Sequence, residues 1–162
     1  MMDKKISDVI INDIDISFIF NGICKDACLL RKKLMTDIEC YTINEVIYQS
    51  IPTRFNPEKY ALRFGLLIPK QIDNIGYINI KGPKMVKCED IKGIDFVYNI
   101  PILYLDEGEE LKCCLKMKKD CGKTHAKWNP VSNIRFQEHS KGFLFTFELT
   151  GLLTWDEIYM QL

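Results

Sequence analysis

The chain has 162 residues, of which 47% are hydrophobic and 27% are charged, and this length suits one domain or two small lobes. Such a composition is ordinary for a globular protein and disfavours disorder over most of the chain. The formal net charge is zero, whereas proteins that hold DNA or RNA by its phosphates usually carry a basic excess. Nucleic acid is therefore disfavoured as the main direct ligand.

The cysteine count and the hydropathy pattern indicate the cellular compartment of the protein. The seven cysteines stand at positions 24, 28, 40, 88, 113, 114 and 121, an odd number, and the first residues lack the apolar core of a signal peptide. No apolar run approaches the roughly 18 residues that a membrane-spanning helix needs. The sequence predicts free thiols in an intracellular, reducing compartment, without a membrane partner.

The first third of the chain predicts strand, helix and strand. Residues 5–20 include an alternating apolar run and are predicted to be extended. Asn21 is predicted to cap a helix over about residues 23–38, and the apolar positions of that helix form one stripe: Ile23, Ala27, Leu30, Leu34 and Ile38. Residues 41–49 alternate again and contain good strand formers.

The remainder predicts one short helix, many strands and a helical tail. Asn56 followed by Pro57 is a favourable helix start, and this helix is expected to end at Gly65. Short strands are predicted within 75–103 and at 111–118, 131–137 and 143–149, with a turn at 106–109 and a short helix opening at Thr154. The order lacks βαβ alternation and predicts an α+β fold with a mainly antiparallel sheet.

Three patterns carry candidate chemistry, and each also has a structural interpretation. Cys24 and Cys28, or Cys121 and His125, have the spacing of metal ligands, but a zinc site needs about four ligands at one point, so we expect no metal. His125 with Cys121 or Cys114 could form a thiol–imidazole dyad, yet nothing marks an oxyanion hole or an orienting group. We expect no catalytic residues and no cofactor.

A local cluster of lysines follows in the same region. Its members are Lys116, Lys118, Lys119, Lys123 and Lys127. The cluster predicts either a solvated strand edge or a surface for an acidic partner.

Several segments, in the same order along the chain, resemble the α-like assembly subunits of multisubunit DNA-directed RNA polymerase. This family comprises the bacterial α N-terminal domain, its archaeal counterpart and the third-largest eukaryotic subunit. The similar segments lie at 30–38, 41–46, 57–69, 106–111, 122–131 and 145–151. The most specific of them are Lys-Thr-His-Ala-Lys-Trp-Asn-Pro at 123–130 and Arg-Phe-Gly-Leu at 63–66.

The resemblance implies two lobes and a scaffold function. Residues 1–44 with 140–162 would form a dimerisation lobe, and residues 45–139 an inserted, mainly antiparallel β lobe. The protein would pair with a second α-like subunit and carry the second-largest catalytic subunit, and contact with a small zinc-binding polymerase subunit is also allowed. No sequence-specific contact with nucleic acid is expected.

The same resemblance implies the residues that contact these partners. They are Leu30, Arg31, Leu34, Arg63, Gly65, Lys123, His125, Lys127, Trp128 and Pro130. Trp128 is expected to be an interface anchor, so Trp128→Ala or Arg31→Ala should weaken recovery of the catalytic subunit while the isolated fold survives.

The chain also departs from the family pattern. The insert lacks the cysteine cluster of many cellular relatives, and the long final helix is short here. These departures suggest a divergent or viral member, located in the nucleus or cytoplasm, or in a virion or viral factory. The alternatives are a binding module of another complex and a small thiol- or metal-dependent enzyme.

Overall fold

The computed structural model of the protein describes residues 5–162 and divides into two compact units. The first comprises the chain up to Cys40 together with Asp120–Leu162, and the second comprises Tyr41–Lys119. The predicted α+β class with mainly antiparallel sheets is confirmed. In chain order the helices and strands are β1 (Ile6–Asn12), β2 (Asp15–Phe20), α1 (Cys24–Thr36), β3 (Glu39–Ser50), α2 (Pro57–Gly65), β4 (Ile75–Lys81), β5 (Lys84–Lys87), β6 (Pro101–Leu105), β7 (Glu110–Cys121), β8 (Val131–His139), β9 (Gly142–Leu149) and α3 (Trp155–Tyr159).

The first unit is built on a four-stranded sheet in the order β1-β2-β9-β8. β2 and β8 both pair with β9 in antiparallel register. Because β8 belongs to this sheet, the first unit resumes at residue 120 rather than at the expected residue 140. Phe18 and Phe145 stack in its core with ring centroids 5.1 Å apart, and Phe18 also meets Trp155 of α3 at 5.4 Å.

The second unit has its own hydrophobic core. β3, β7 and β4 form a three-stranded sheet in that order, and β5 pairs with β6 in a separate hairpin. Phe64 of α2 is buried in one cluster with Ile78, Cys113 and Leu115, which come from the core face of this sheet. α2 therefore covers the core face, and the opposite face of the sheet is exposed.

The N-termini of α2 and α3 are capped by the residues that the local sequence predicts. The Asn56 side chain accepts hydrogen bonds from the backbone N–H groups of Glu58 and Lys59, at 3.0 and 3.4 Å, which confirms the predicted start of α2. Thr154 and Glu157 form a capping box at α3, also as predicted for the tail.

The predicted cap of α1 is wrong. The N-cap residue is Ile23, which makes no side-chain capping bond. Asn21 instead donates its backbone N–H to the Lys5 carbonyl at 2.8 Å, so it belongs to the end of the β1–β2 hairpin. Among residues 5–162, no helix has the length and apolar character needed to cross a membrane.

Candidate functional site

The loop between β7 and β8 holds half of the residues expected to contact partners. It contains a 3₁₀ turn at Ala126–Trp128, and His125 precedes this turn in extended conformation. The imidazole Nδ1 of His125 accepts a hydrogen bond from the Lys127 backbone N–H at 2.9 Å. This nitrogen therefore caps the turn, which favours a structural role of His125 over that of a base for a cysteine nucleophile.

Trp128 and Pro130 point into their own unit. The Trp128 side chain is 2% exposed, and its carbonyl accepts a hydrogen bond from the Cys40 thiol at 3.1 Å. Thr150 donates from its hydroxyl to the Asn129 carbonyl at 2.9 Å and from its backbone N–H to the Pro130 carbonyl at 3.0 Å. The Trp128 ring is therefore buried within its own unit and offers little surface to a partner.

The exposed part of this loop is short. Lys123, Thr124, His125 and Ala126 are exposed, whereas the Lys127 ammonium lies 4.5 Å from the centroid of the Trp128 ring. The Lys123 backbone N–H donates to the carbonyl of Thr36 at 3.2 Å, which ties the loop to the end of α1. The fully exposed side chains of the loop are those of segment 123–126, and Lys127 and Asn129 are half-buried.

Most of the apolar stripe predicted for residues 23–38 is also internal, although Ile23 is 64% exposed. Leu30 and Leu34 are fully buried, as is Ala27, so this stripe packs within its own unit instead of forming a free dimer seam. Arg31 is exposed, and its Nε donates to the Ile134 carbonyl at 3.4 Å. Its guanidinium borders a concavity of about 630 Å³ that Arg135 and other residues of β8 line.

Arg63 and Gly65 belong to the second unit, apart in the chain from the other candidates. The Arg63 guanidinium donates to the Ile102 carbonyl at 2.9 Å and lies 5.0 Å from the Tyr60 ring centroid. Gly65 is buried in the last turn of α2. Arg63 therefore links α2 to β6, and its contacts have a structural function.

The cysteines are all free thiols. Burial raises the pKa of Cys40 to about 12, with a smaller contribution from Cys121, and burial likewise raises the pKa of Cys113 to about 12. The neighbouring thiol of Cys28 raises the pKa of Cys24. Raised pKa values reduce the thiolate fraction, the opposite of what an activated nucleophile requires. In residues 5–162, no three His, Cys, Asp or Glu side chains converge as metal ligands.

Sequence reasoning missed a network in the second unit centred on Arg54. Its guanidinium donates to both carboxylate oxygens of Glu109 at 2.8 and 2.7 Å and to the Tyr104 carbonyl at 2.7 Å, and it lies 4.1 Å from the Phe55 ring centroid. The hydrogen bond from Arg54 lowers the pKa of Glu109 to about 2. The sequence shows Arg54 and, far along the chain, the acidic turn at 106–109, but it does not show that Arg54 pairs with Glu109.

A second surface lies on the exposed face of the β3-β7-β4 sheet, where Tyr77 is surrounded by Lys116 of the predicted lysine cluster and by Lys92 and Lys112, which that cluster did not include.

Comparison with known proteins identifies no relative of this chain. No protein-family model matches the sequence, and no curated protein shows significant similarity to it.

Proposed function

We propose that the protein is a non-catalytic assembly subunit of a DNA-directed RNA polymerase, pairing with a second α-like subunit and carrying the second-largest catalytic subunit. The observation that supports this proposal is the composition of the first unit. Its sheet combines β1 and β2 from the beginning of the chain with β8 and β9 from the end, while Tyr41–Lys119 forms a separate unit. A discontinuous lobe with an insertion is the organisation that the family resemblance implies.

The face of α1 that remains exposed is the proposed partner surface. Cys24, Cys28, Arg31 and Met35 are all exposed and recur at intervals of three or four residues, so they lie along one side of the helix. This side is distinct from the buried stripe of Leu30 and Leu34. We therefore assign assembly contacts to Arg31 and its exposed neighbours, together with segment 123–126, and assign the buried candidates to fold stability.

The proposal places the protein in an intracellular, reducing compartment. Free thiols at all seven positions are compatible with this environment. The polymerase assignment would add the nucleus or cytoplasm, or a virion or viral factory for a viral enzyme.

Affinity purification of the tagged full chain from its native source tests the function. We expect the two largest polymerase subunits and a second α-like subunit among the recovered proteins, identified by mass. Recovery of a different set of stable partners would instead support a binding module of another complex. The exposed apolar side chains at the end of α2, Leu62 at 68% and the C-cap residue Leu66 at 64%, favour this second candidate because they offer a patch for an unrelated protein.

Charge reversal on α1 tests the assigned surface. Arg31→Glu should reduce recovery of the catalytic subunit severalfold with little change in thermal stability, because the side chain is exposed. Lys32→Glu is the matched control, since it makes the same kind of change at the adjacent exposed position, about 100° around the helix. Equal recovery for both variants would remove the Arg31 side of α1 from the proposed interface.

A further inference from the structure

We propose that the exposed face of the β4–β7 strand pair binds single-stranded nucleic acid without sequence specificity, by stacking a base on Tyr77 and holding phosphates with the surrounding lysines. This inference concerns the second unit alone and does not rest on the assembly function.

The register of β4 and β7 identifies the side chains that share this face. Tyr77 is paired with Cys114, Ile75 with Lys116, and Asn79 with Lys112. Directly paired residues of antiparallel strands project from the same face, and alternate residues repeat it. The intervening pairs, such as Ile78 with Cys113, face the core.

A third segment completes the surroundings of Tyr77. Lys92 forms an isolated antiparallel bridge with Tyr77, with reciprocal backbone hydrogen bonds of 2.8 Å. Lys92 is therefore the direct neighbour of Tyr77 on one side. On the other side of Tyr77, its direct partner on β7 is Cys114. Lys112 and Lys116 lie two residues before and after Cys114, so they are the diagonal neighbours of Tyr77, at a typical backbone separation of about 7–8 Å.

The lysines around Tyr77 make the face electropositive. Lys92, Lys112 and Lys116 are exposed, and within residues 5–162 none of them forms an ion pair with a carboxylate. The acidic residue at the end of the paired strands, Glu110, lies 3.9 Å from the ammonium of Lys81. The zero net charge of the whole chain thus conceals a local excess of positive charge.

The aromatic ring distinguishes the expected ligand. The Tyr77 side chain is 55% exposed at the centre of the lysines, so its ring is accessible for stacking. Nonspecific single-strand binding combines such rings with positive charges that follow the phosphate backbone. Lysines bind phosphates as point charges, and an accessible ring among them favours a ligand that carries bases to stack over an acidic peptide.

The experiment measures binding of the full chain to a fluorescein-labelled 12-nucleotide oligo(dT) and to the matching oligo(U), by fluorescence anisotropy over a range of salt concentrations. With three lysines neutralising phosphates, we expect log K against log salt to have a slope of about −2 for both ligands. Equal binding of both would indicate that the face uses backbone and base-stacking contacts common to DNA and RNA. Stronger binding of either one would show which of the two sugars and bases the face prefers.

Variants separate stacking from charge. Tyr77→Ser should weaken binding roughly fivefold to a hundredfold with little change in slope, whereas Tyr77→Phe should stay near wild type because it keeps the ring. Lys112→Gln with Lys116→Gln should make the slope shallower by about 1.4. Lys59→Gln is the control, because Lys59 is an exposed lysine of α2, the helix that covers the opposite face of the sheet.

Thermal unfolding of each variant verifies that the fold persists, as expected for exposed positions. The proposal would be overturned if the wild type bound neither oligonucleotide at low salt, or if Tyr77→Ser bound as well as wild type. Binding of a labelled oligoglutamate peptide with the same lysine dependence, but without binding of the oligonucleotides, would also overturn it and assign the face to an acidic protein.

Discussion

Trp128 stabilises the first unit through both its ring and its carbonyl group. The ring is buried, and the carbonyl accepts the hydrogen bond from Cys40 at the start of β3. A side chain of this size leaves a large cavity when it is truncated, and such cavities are costly because packed interiors relax only partly. Its burial therefore contributes to the stability of the fold.

We accordingly expect Trp128→Ala to lower the free energy of unfolding by about 3–5 kcal/mol, measured by urea denaturation of the full chain. His125 lies three residues earlier and is exposed, so His125→Ala should lower the free energy of unfolding much less, by about 1 kcal/mol at most. This loss corresponds to the capping hydrogen bond from the Lys127 backbone N–H. Similar losses for both variants would contradict the burial of Trp128.

Glu109 provides a pH-dependent contribution to the second unit. Its pKa is lowered from 4.5 to about 2 by the hydrogen bond from Arg54, so the folded protein binds this proton less readily than the unfolded chain does. Stability from the pair is fully present above about pH 4.5 and is lost as the pH falls towards 2.

Comparison with Glu109→Gln tests this dependence. At pH 7 the wild type should have the higher urea midpoint, because only the wild type carries the negative charge of Glu109. The difference between the two midpoints should shrink between pH 4.5 and 2, because protonation of Glu109 removes that charge from the wild type as well. A difference that stayed constant over this range would exclude ionisation of Glu109 as its source.

At the scale of elements, α2 shows how a short helix is fixed by its first residues. The Asn56 carboxamide satisfies two backbone N–H groups that the helix itself leaves unpaired, and Pro57 has the backbone angle that the first position requires. Nine residues form few internal hydrogen bonds, so the cap is a large share of the local stability.

Asn56→Ala should therefore destabilise the protein by about 1 kcal/mol, whereas Asn56→Asp should be close to neutral because a carboxylate accepts the same bonds. Equilibrium unfolding measures both effects. Equal destabilisation by the two substitutions would indicate that the amide, and not its accepting oxygen, is needed.

The elements also show which features the sequence predicts and which it does not. The start of α2 depends on neighbouring residues, and the prediction was correct there. The cap of α1 was wrong because Asn21 bonds to Lys5, a contact made only when the hairpin folds. Likewise, the burial of Trp128 depends on Cys40 and the surroundings of Tyr77 depend on Lys92, residues distant in sequence that local patterns do not pair.

At the scale of the whole molecule, Tyr41–Lys119 is continuous in sequence and encloses its own buried cluster. A segment with these properties meets the requirements for independent folding. We expect a fragment of residues 41–119 to unfold cooperatively in urea, with far-ultraviolet circular dichroism typical of strands.

The complementary design removes the same residues. Residues 1–40 and 120–162 joined by a short glycine–serine linker should retain the β1-β2-β9-β8 sheet, since all four strands remain. A fragment 41–119 that stays unfolded would show that its core alone does not offset the entropy of ordering the chain.

The contact between Lys119 and Tyr41 has a consequence for how such a chain changes over time. The Lys119 ammonium lies 5.9 Å from the Tyr41 ring centroid, so the first and last residues of the second unit are neighbours. A block whose ends adjoin can be gained, lost, enlarged or exchanged with little cost to the chain on either side. We expect proteins built on this plan to differ in length mainly within this block, whose exposed sheet face would then diversify independently of the strands that flank it.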